Sequence, residues 1–218
     1  MTRNEFVTMT GITFALSTFA LAGPGHNHES GHSDASSHPV CPVMGEPANL
    51  AVSTDTPEGP LFFCCERCVE KYEADPSKYT SAAVEQRKAL ADRPKIQTIC
   101  PVSDKPVDEK VFIDDDGERV YFCCEGCTGK YQADPKKYAS KLANSYAYQT
   151  TCPVMKKTID PTSFTALKDG RKIYYCCDGC GDKLFDKPAK YAKALVDQGY
   201  QYNWSRIERA DGDDADRH

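Results

Sequence analysis

The chain is short of the side chains on which most active sites depend. Of its five histidines, His26, His28, His32 and His38 precede the first cysteine and the fifth is the terminal residue, so no cysteine-rich stretch contains one. Within those stretches this excludes a Cys-His nucleophile pair and the mixed Cys and His ligand sets of many catalytic zinc sites. The Glu-x-x-His pattern of a di-iron bundle is missing from those stretches too. Apolar surface is scarce: mean hydropathy is -0.58 and 27% of residues are charged, which favours small modules with an added source of stability over one large core. Positive charge is also short, with 27 Lys and Arg against 32 Asp and Glu, a net charge of -5 and a pI of about 5.6. A nucleic-acid partner needs a basic stripe for phosphates, and none is expected here.

Long hydrophobic runs are missing as well. The apolar segment Met9 to Ala22 (MTGITFALSTFALA) falls short of the ~20 residues of a membrane span. It has the length of a secretory h-region and ends in Ala20-Leu21-Ala22, so residues 1–22 read as a signal peptide cleaved after Ala22. The expected mature protein is periplasmic or secreted, without a membrane span, in a compartment where cysteines pair or are held by metal.

What the chain has is cysteine, twelve in all, in a pattern used three times: Cys41, Cys64, Cys65 and Cys68, then Cys100, Cys123, Cys124 and Cys127, then Cys152, Cys176, Cys177 and Cys180. Each copy opens Cys-Pro-Val, crosses 22 or 23 residues to an aromatic-Cys-Cys-x-x-Cys run, and closes at Tyr79, Tyr138 or Tyr191. The expected fold class is α+β, three tandem small modules, each a β-hairpin followed by short helices. Asp116-Gly117 and Asp169-Gly170 mark hairpin turns, and Thr56 to Pro60 supplies a longer turn in the first copy. Asp75-Pro76 and Asp134-Pro135 predict a capped second helix, with a weaker start at Lys187-Pro188. Tyr146-Ala147-Tyr148 and Tyr200 to Trp204 predict a strand leaving each module. The expected modules span 40–93, 94–145 and 146–205, between a disordered His-rich segment at 23–39 and an acidic disordered tail at 206–218.

These spacings suit a metal. Cys68 lies four residues after Cys64 and three after Cys65, so a helix beginning at the pair sets the three thiols on one face, and Cys41 adds a ligand from the Cys-Pro-Val turn. The second member of each pair is the least determined ligand, because strand geometry would point it away from its neighbour. Met44 and Met155 are alternative thioether donors that would favour copper(I), or else gap-filling core residues; Ser103 interrupts that series. His26, His28, His32 and His38 form a second, looser candidate site.

Cys-Pro-Val, then Tyr-Phe-Cys-Cys-Glu-Gly-Cys and Tyr-Gln-Ala-Asp-Pro-Lys-Lys-Tyr resembles the YHS domain, and the cysteine frame is similar to that of the related TRASH domain. The resemblance spans about 40–79, 100–138 and 152–191 and implies treble-clef-like modules that handle heavy metals, with a metal transporter or ATPase as partner. Carried over, it supports Cys41, Cys64 and Cys68, Cys100, Cys123 and Cys127, and Cys152, Cys176 and Cys180. Cys65, Cys124 and Cys177 stand where that family has a small polar residue.

The expected function is therefore binding of zinc or copper(I), about one ion per module, for sequestration, buffering or delivery. Two other chemistries fit twelve cysteines: thiol-disulfide exchange at the Cys-x-x-Cys pairs, and six structural disulfides.

Overall fold

The computed structural model describes residues 38–210, a mixed α+β chain in which one supersecondary unit recurs three times. The first unit contains β1 (Asn49–Thr54), β2 (Leu61–Phe63), α1 (Glu66–Ala74), a 3-10 turn (Pro76–Tyr79) and α2 (Thr80–Ala91). After the short strand β3 (Ile96–Gln97), the second contains β4 (Asp108–Asp115), β5 (Glu118–Phe122), α3 (Glu125–Ala133) and α4 (Pro135–Ala143). After β6 (Tyr146–Ala147), the third contains β7 (Asp160–Ala166), β8 (Lys172–Tyr175), α5 (Cys180–Asp186) and α6 (Pro188–Val196).

Each hairpin is antiparallel and breaks register at the same place, between Asn49 and Ser53, Asp108 and Phe112, and Asp160 and Phe164. The cause is local. The Asn49, Asp108 and Asp160 side chains accept the N–H two residues on, at 3.0, 2.9 and 2.8 Å, an Asx turn that buckles the strand into a bulge. The Asp116-Gly117 turn has both residues at positive φ, 48° and 87°, the geometry of the tightest hairpin loop.

A buried glutamine fixes the far side of each hairpin. Gln97 Oε1 accepts the Tyr121 N–H at 2.9 Å while its Nε2 donates to the Tyr121 carbonyl at 2.8 Å. Gln149 does the same to Tyr174 at 3.0 and 2.6 Å. Both lie three residues before their Cys-Pro-Val. His38 holds that position in the first unit and is exposed, and there Gln86 reaches from α2 to clamp Phe62 at 2.9 and 2.7 Å. An aromatic ladder then ties strand to helices: Phe63, Tyr72 and Tyr79 in the first unit, Phe122, Tyr131 and Tyr138 in the second. The closing tyrosines Tyr79 and Tyr138 thus end each ladder, half-buried against the helix tyrosine before them.

Several expectations need correction. The Asp134 side chain caps α4 by accepting the Lys137 N–H at 3.3 Å, but Asp75 accepts from Ser77 Oγ instead, and the first unit starts its second helix as a 3-10 turn. Tyr146-Ala147 is a strand, paired with β3 and not with a hairpin edge. Tyr200 to Trp204 is not a strand; Asn49 stitches that segment to β1 by bonding both the Gln201 carbonyl and N–H, at 2.8 and 2.9 Å. The chain from 206 does not begin a disordered tail, because Lys168 and Ala210 N–H groups donate across to Glu208 and Ala166 carbonyls and lay 208–210 along the third hairpin. Residues 211–218 lie outside the described residues, as do the signal-peptide segment and most of the His-rich segment. Finally, the hydrophobic core is not divided module by module. Cys41, Leu61, Phe63, Cys68 and Ala83 form one cluster in the first unit and Val107, Val120, Phe122 and Tyr131 one in the second, whereas Leu50, Ala51, Phe62 and Leu90 of the first pack in a shared cluster with Ile173, Leu184 and Leu195 of the third.

Candidate metal centres

Each centre is assembled from a turn before the hairpin and the junction after it. In the turn, the Cys41, Cys100 and Cys152 N–H groups bond the carbonyls of Glu46, Lys105 and Lys157, each at 2.8 Å, and their own carbonyls accept from Gly45, Asp104 and Lys156. Those last three residues have positive φ, so the chain doubles back sharply and its N–H groups converge on the cysteine sulfur. The Met155 N–H donates to Cys152 Sγ at 3.5 Å.

At the junction the backbone leaves the second strand, and Cys64 and Cys123 occupy the bend before the helix. The helix does not begin at the cysteine pair. Cys65 and Cys124 are extended N-cap residues of α1 and α3, and in the third copy Gly179, at φ 77°, delays the start of α5 to Cys180. The fold nevertheless brings three thiols of each copy together: Cys41, Cys64 and Cys68, Cys100, Cys123 and Cys127, and Cys152, Cys176 and Cys180, with all sulfurs of a triad within 4.8 Å of one another. In each triad the turn and helix cysteines are buried and the junction cysteine is partly exposed.

Cys65, Cys124 and Cys177 stand outside those triads but not far from them. Cys65 Sγ is 4.0 Å from Cys64 Sγ and 3.7 Å from Cys68 Sγ, and Cys124 is 3.8 and 3.7 Å from Cys123 and Cys127. Cys177 is 3.9 Å from Cys176 and 3.6 Å from Cys180. All twelve cysteines are free thiols, and these separations far exceed the ~2.05 Å of a disulfide.

Met44 and Met155 are exposed, so they are not gap-filling core residues. The aligned Ser103 places its Oγ 3.1 Å from Cys123 Sγ, which shows that this position borders the centre. His38 is exposed and belongs to no triad; His26, His28 and His32 lie outside the described residues.

The electrostatics divide the thiols by role. Burial pushes the Cys41 and Cys152 thiols up, but the N–H groups around each turn outweigh it and leave both below the ordinary value. At Cys100, burial is overcome by the Ser103 hydroxyl together with the Cys123 and Val102 N–H groups, which bring the thiol to about 7. Burial dominates at the helix cysteines and raises them, Cys127 to about 12 and Cys68 and Cys180 further still. The partly exposed Cys65 is lowered, first by the Cys68 N–H at the start of α1. Each triad thus pairs one thiol that ionises more readily than usual with thiols that give up their protons when a cation takes their place.

The described part of the chain is therefore a three-fold α+β repeat with one cysteine triad per copy able to hold a metal ion. No family model matches the sequence, and neither the curated proteins nor the solved structures contain a detectable relative.

Proposed function

We propose that this protein binds soft metal ions, zinc or copper(I), through its three thiolate centres and serves to sequester, buffer or deliver them outside the cytoplasm. The observation that carries this reading is the triplicate convergence of a turn cysteine, a junction cysteine and a helix cysteine whose sulfurs lie within 4.8 Å, without an acid, base or histidine in the group. Zinc sits comfortably among three such thiolates, with a fourth position left for the neighbouring cysteine or an outside ligand. Residues Met9 to Ala22 support export, and the four upstream histidines support a first, weaker capture of the ion. The likeness to YHS and TRASH domains supports the same handling role, with a metal transporter or ATPase as delivery partner. No helix among the described residues is long and apolar enough to cross a membrane.

Anaerobic zinc loading of the reduced chain, followed by removal of loose metal and elemental analysis, tests the proposal. About three zinc ions per chain are expected, one for each triad. Zinc content near zero at saturation, with no copper(I) retained in the same procedure, overturns it.

A further inference from the structure

The four sulfurs of a copy do not sit at the corners of a tetrahedron. With zinc–sulfur bonds of about 2.3 Å, all six edges of a tetrahedral thiolate site measure about 3.8 Å. Here Cys65 approaches Cys64 and Cys68 to 4.0 and 3.7 Å, yet it remains outside the group that Cys41 forms with those same two residues. The arrangement is two triangles sharing the Cys64–Cys68 edge, which is 3.6 Å long. Cys41 forms the buried tip and Cys65 the outer one. The second copy repeats this, with Cys123 and Cys127 sharing a 3.7 Å edge between buried Cys100 and exposed Cys124. In the third, Cys176 and Cys180 stand between buried Cys152 and exposed Cys177.

Resting on the metal-binding reading above, we infer that each copy holds two copper(I) ions, one in each triangle, with Cys64 and Cys68, Cys123 and Cys127, and Cys176 and Cys180 as bridging thiolates. The outer triangle of the first copy has edges of 3.6, 3.7 and 4.0 Å, so its centre lies roughly 2.2 Å from each sulfur, close to the ~2.3 Å of a metal–thiolate bond. Soft thiolates select copper(I), and a thiolate sulfur has lone pairs enough for two such ions. Charge favours the second ion. Four thiolates around one copper(I) leave three uncompensated negative charges at a partly buried site, and a second copper(I) reduces that to two, the same as one zinc leaves. Binding is a plain exchange in which each thiol releases its proton to water as its sulfur bonds the metal, and copper stays monovalent throughout. The outer tip faces solvent, so the outer triangle receives the ion and the shared edge passes it inward.

Anaerobic copper(I) titration of the reduced full chain, read by native mass spectrometry and by X-ray absorption, tests this. Six copper ions per chain are expected, with a short copper–copper backscatter in addition to sulfur. Cys124→Ser should lower the count to five. The combined Cys65→Ser, Cys124→Ser and Cys177→Ser variant should lower it to three, without the copper–copper signal. Saturation of the unaltered chain at three copper ions with no copper–copper signal overturns the bridged pair but leaves the metal-binding reading intact; failure to hold either zinc or copper overturns both. A triple variant that still takes six places the second ion elsewhere and overturns the assignment.

Discussion

At the scale of single residues, the three centres share a frame but not a chemistry. The residue after Cys-Pro-Val is Met44, Ser103 or Met155, and only the serine puts a hydroxyl among the thiols, 3.1 Å from Cys123 Sγ. That hydroxyl is the foremost of the groups that bring Cys100 below its ordinary 9.0 to about 7 against the opposing effect of burial. A folded-state value depressed in this way contributes stability that is present above the unfolded value and lost as pH falls through about 7. In the reduced, metal-free protein, the thiolate absorption should therefore show a step near pH 7 assignable to Cys100. Ser103→Ala should move that step upward and leave the first and third copies unchanged. If it stays in place, the serine is not what stabilises the Cys100 thiolate.

At the scale of elements, hairpin and helix are joined by polar clamps as much as by apolar contact. Gln149 is almost completely buried, and its amide pairs with both backbone groups of Tyr174. Gln149→Leu keeps the volume and strands a buried N–H and a buried carbonyl, a change that should cost about 3 kcal/mol. The urea midpoint of the reduced protein should fall accordingly, whereas the exposed Gln132→Leu should change stability by less than about 0.5 kcal/mol. Equal, small effects would remove the clamp from the account. This clamp also marks where sequence reasoning stopped. The hairpins, the helix pair and the cysteine partition could be read because turn dipeptides, proline starts and cysteine spacing act locally. The glutamine recurs at the same offset in only two copies, and in the first its work passes to Gln86 on α2, a tertiary substitution that no local pattern announces. The bulge residues Asn49, Asp108 and Asp160, each eight positions after the opening cysteine, were a readable signal hidden by the Asn-for-Asp exchange.

At the scale of the molecule, sequence repetition suggests three equal beads, and the packing departs from that. Cysteine spacing reports what happens within a copy, whereas which copies share a core depends on long-range contacts that leave no periodic trace. Leu50 on β1 is buried against Gly199, and its N–H donates to the Gly199 carbonyl at 2.8 Å, so the first hairpin rests on the chain that follows α6. Phe62 meets the Tyr148 ring edge-on at 5.5 Å, and both belong to the cluster shared by the first and third copies. Between those copies the second keeps its own core, touching them through contacts such as Asn144 Nδ2 to the Thr56 carbonyl at 2.8 Å and Tyr174 Oη to Thr98 Oγ1 at 3.1 Å. A cavity in the shared cluster is therefore felt in both copies, but the buried cysteines in that cluster are Cys152 and Cys180 of the third centre, whereas Cys41 and Cys68 sit in the first copy's own cluster. Leu50→Ala should cost about 3 kcal/mol and should reduce amide-exchange protection in both α2 and α6, with faster zinc loss from the third centre, whose Cys152 and Cys180 lie in the same cluster. Protection in β5 and α3 should stay as it was. Phe122→Leu, within the second cluster, should loosen β5 and α3 alone. Loosening confined to residues 40–93 in the Leu50 variant would show that the first and third copies are separate folding units after all.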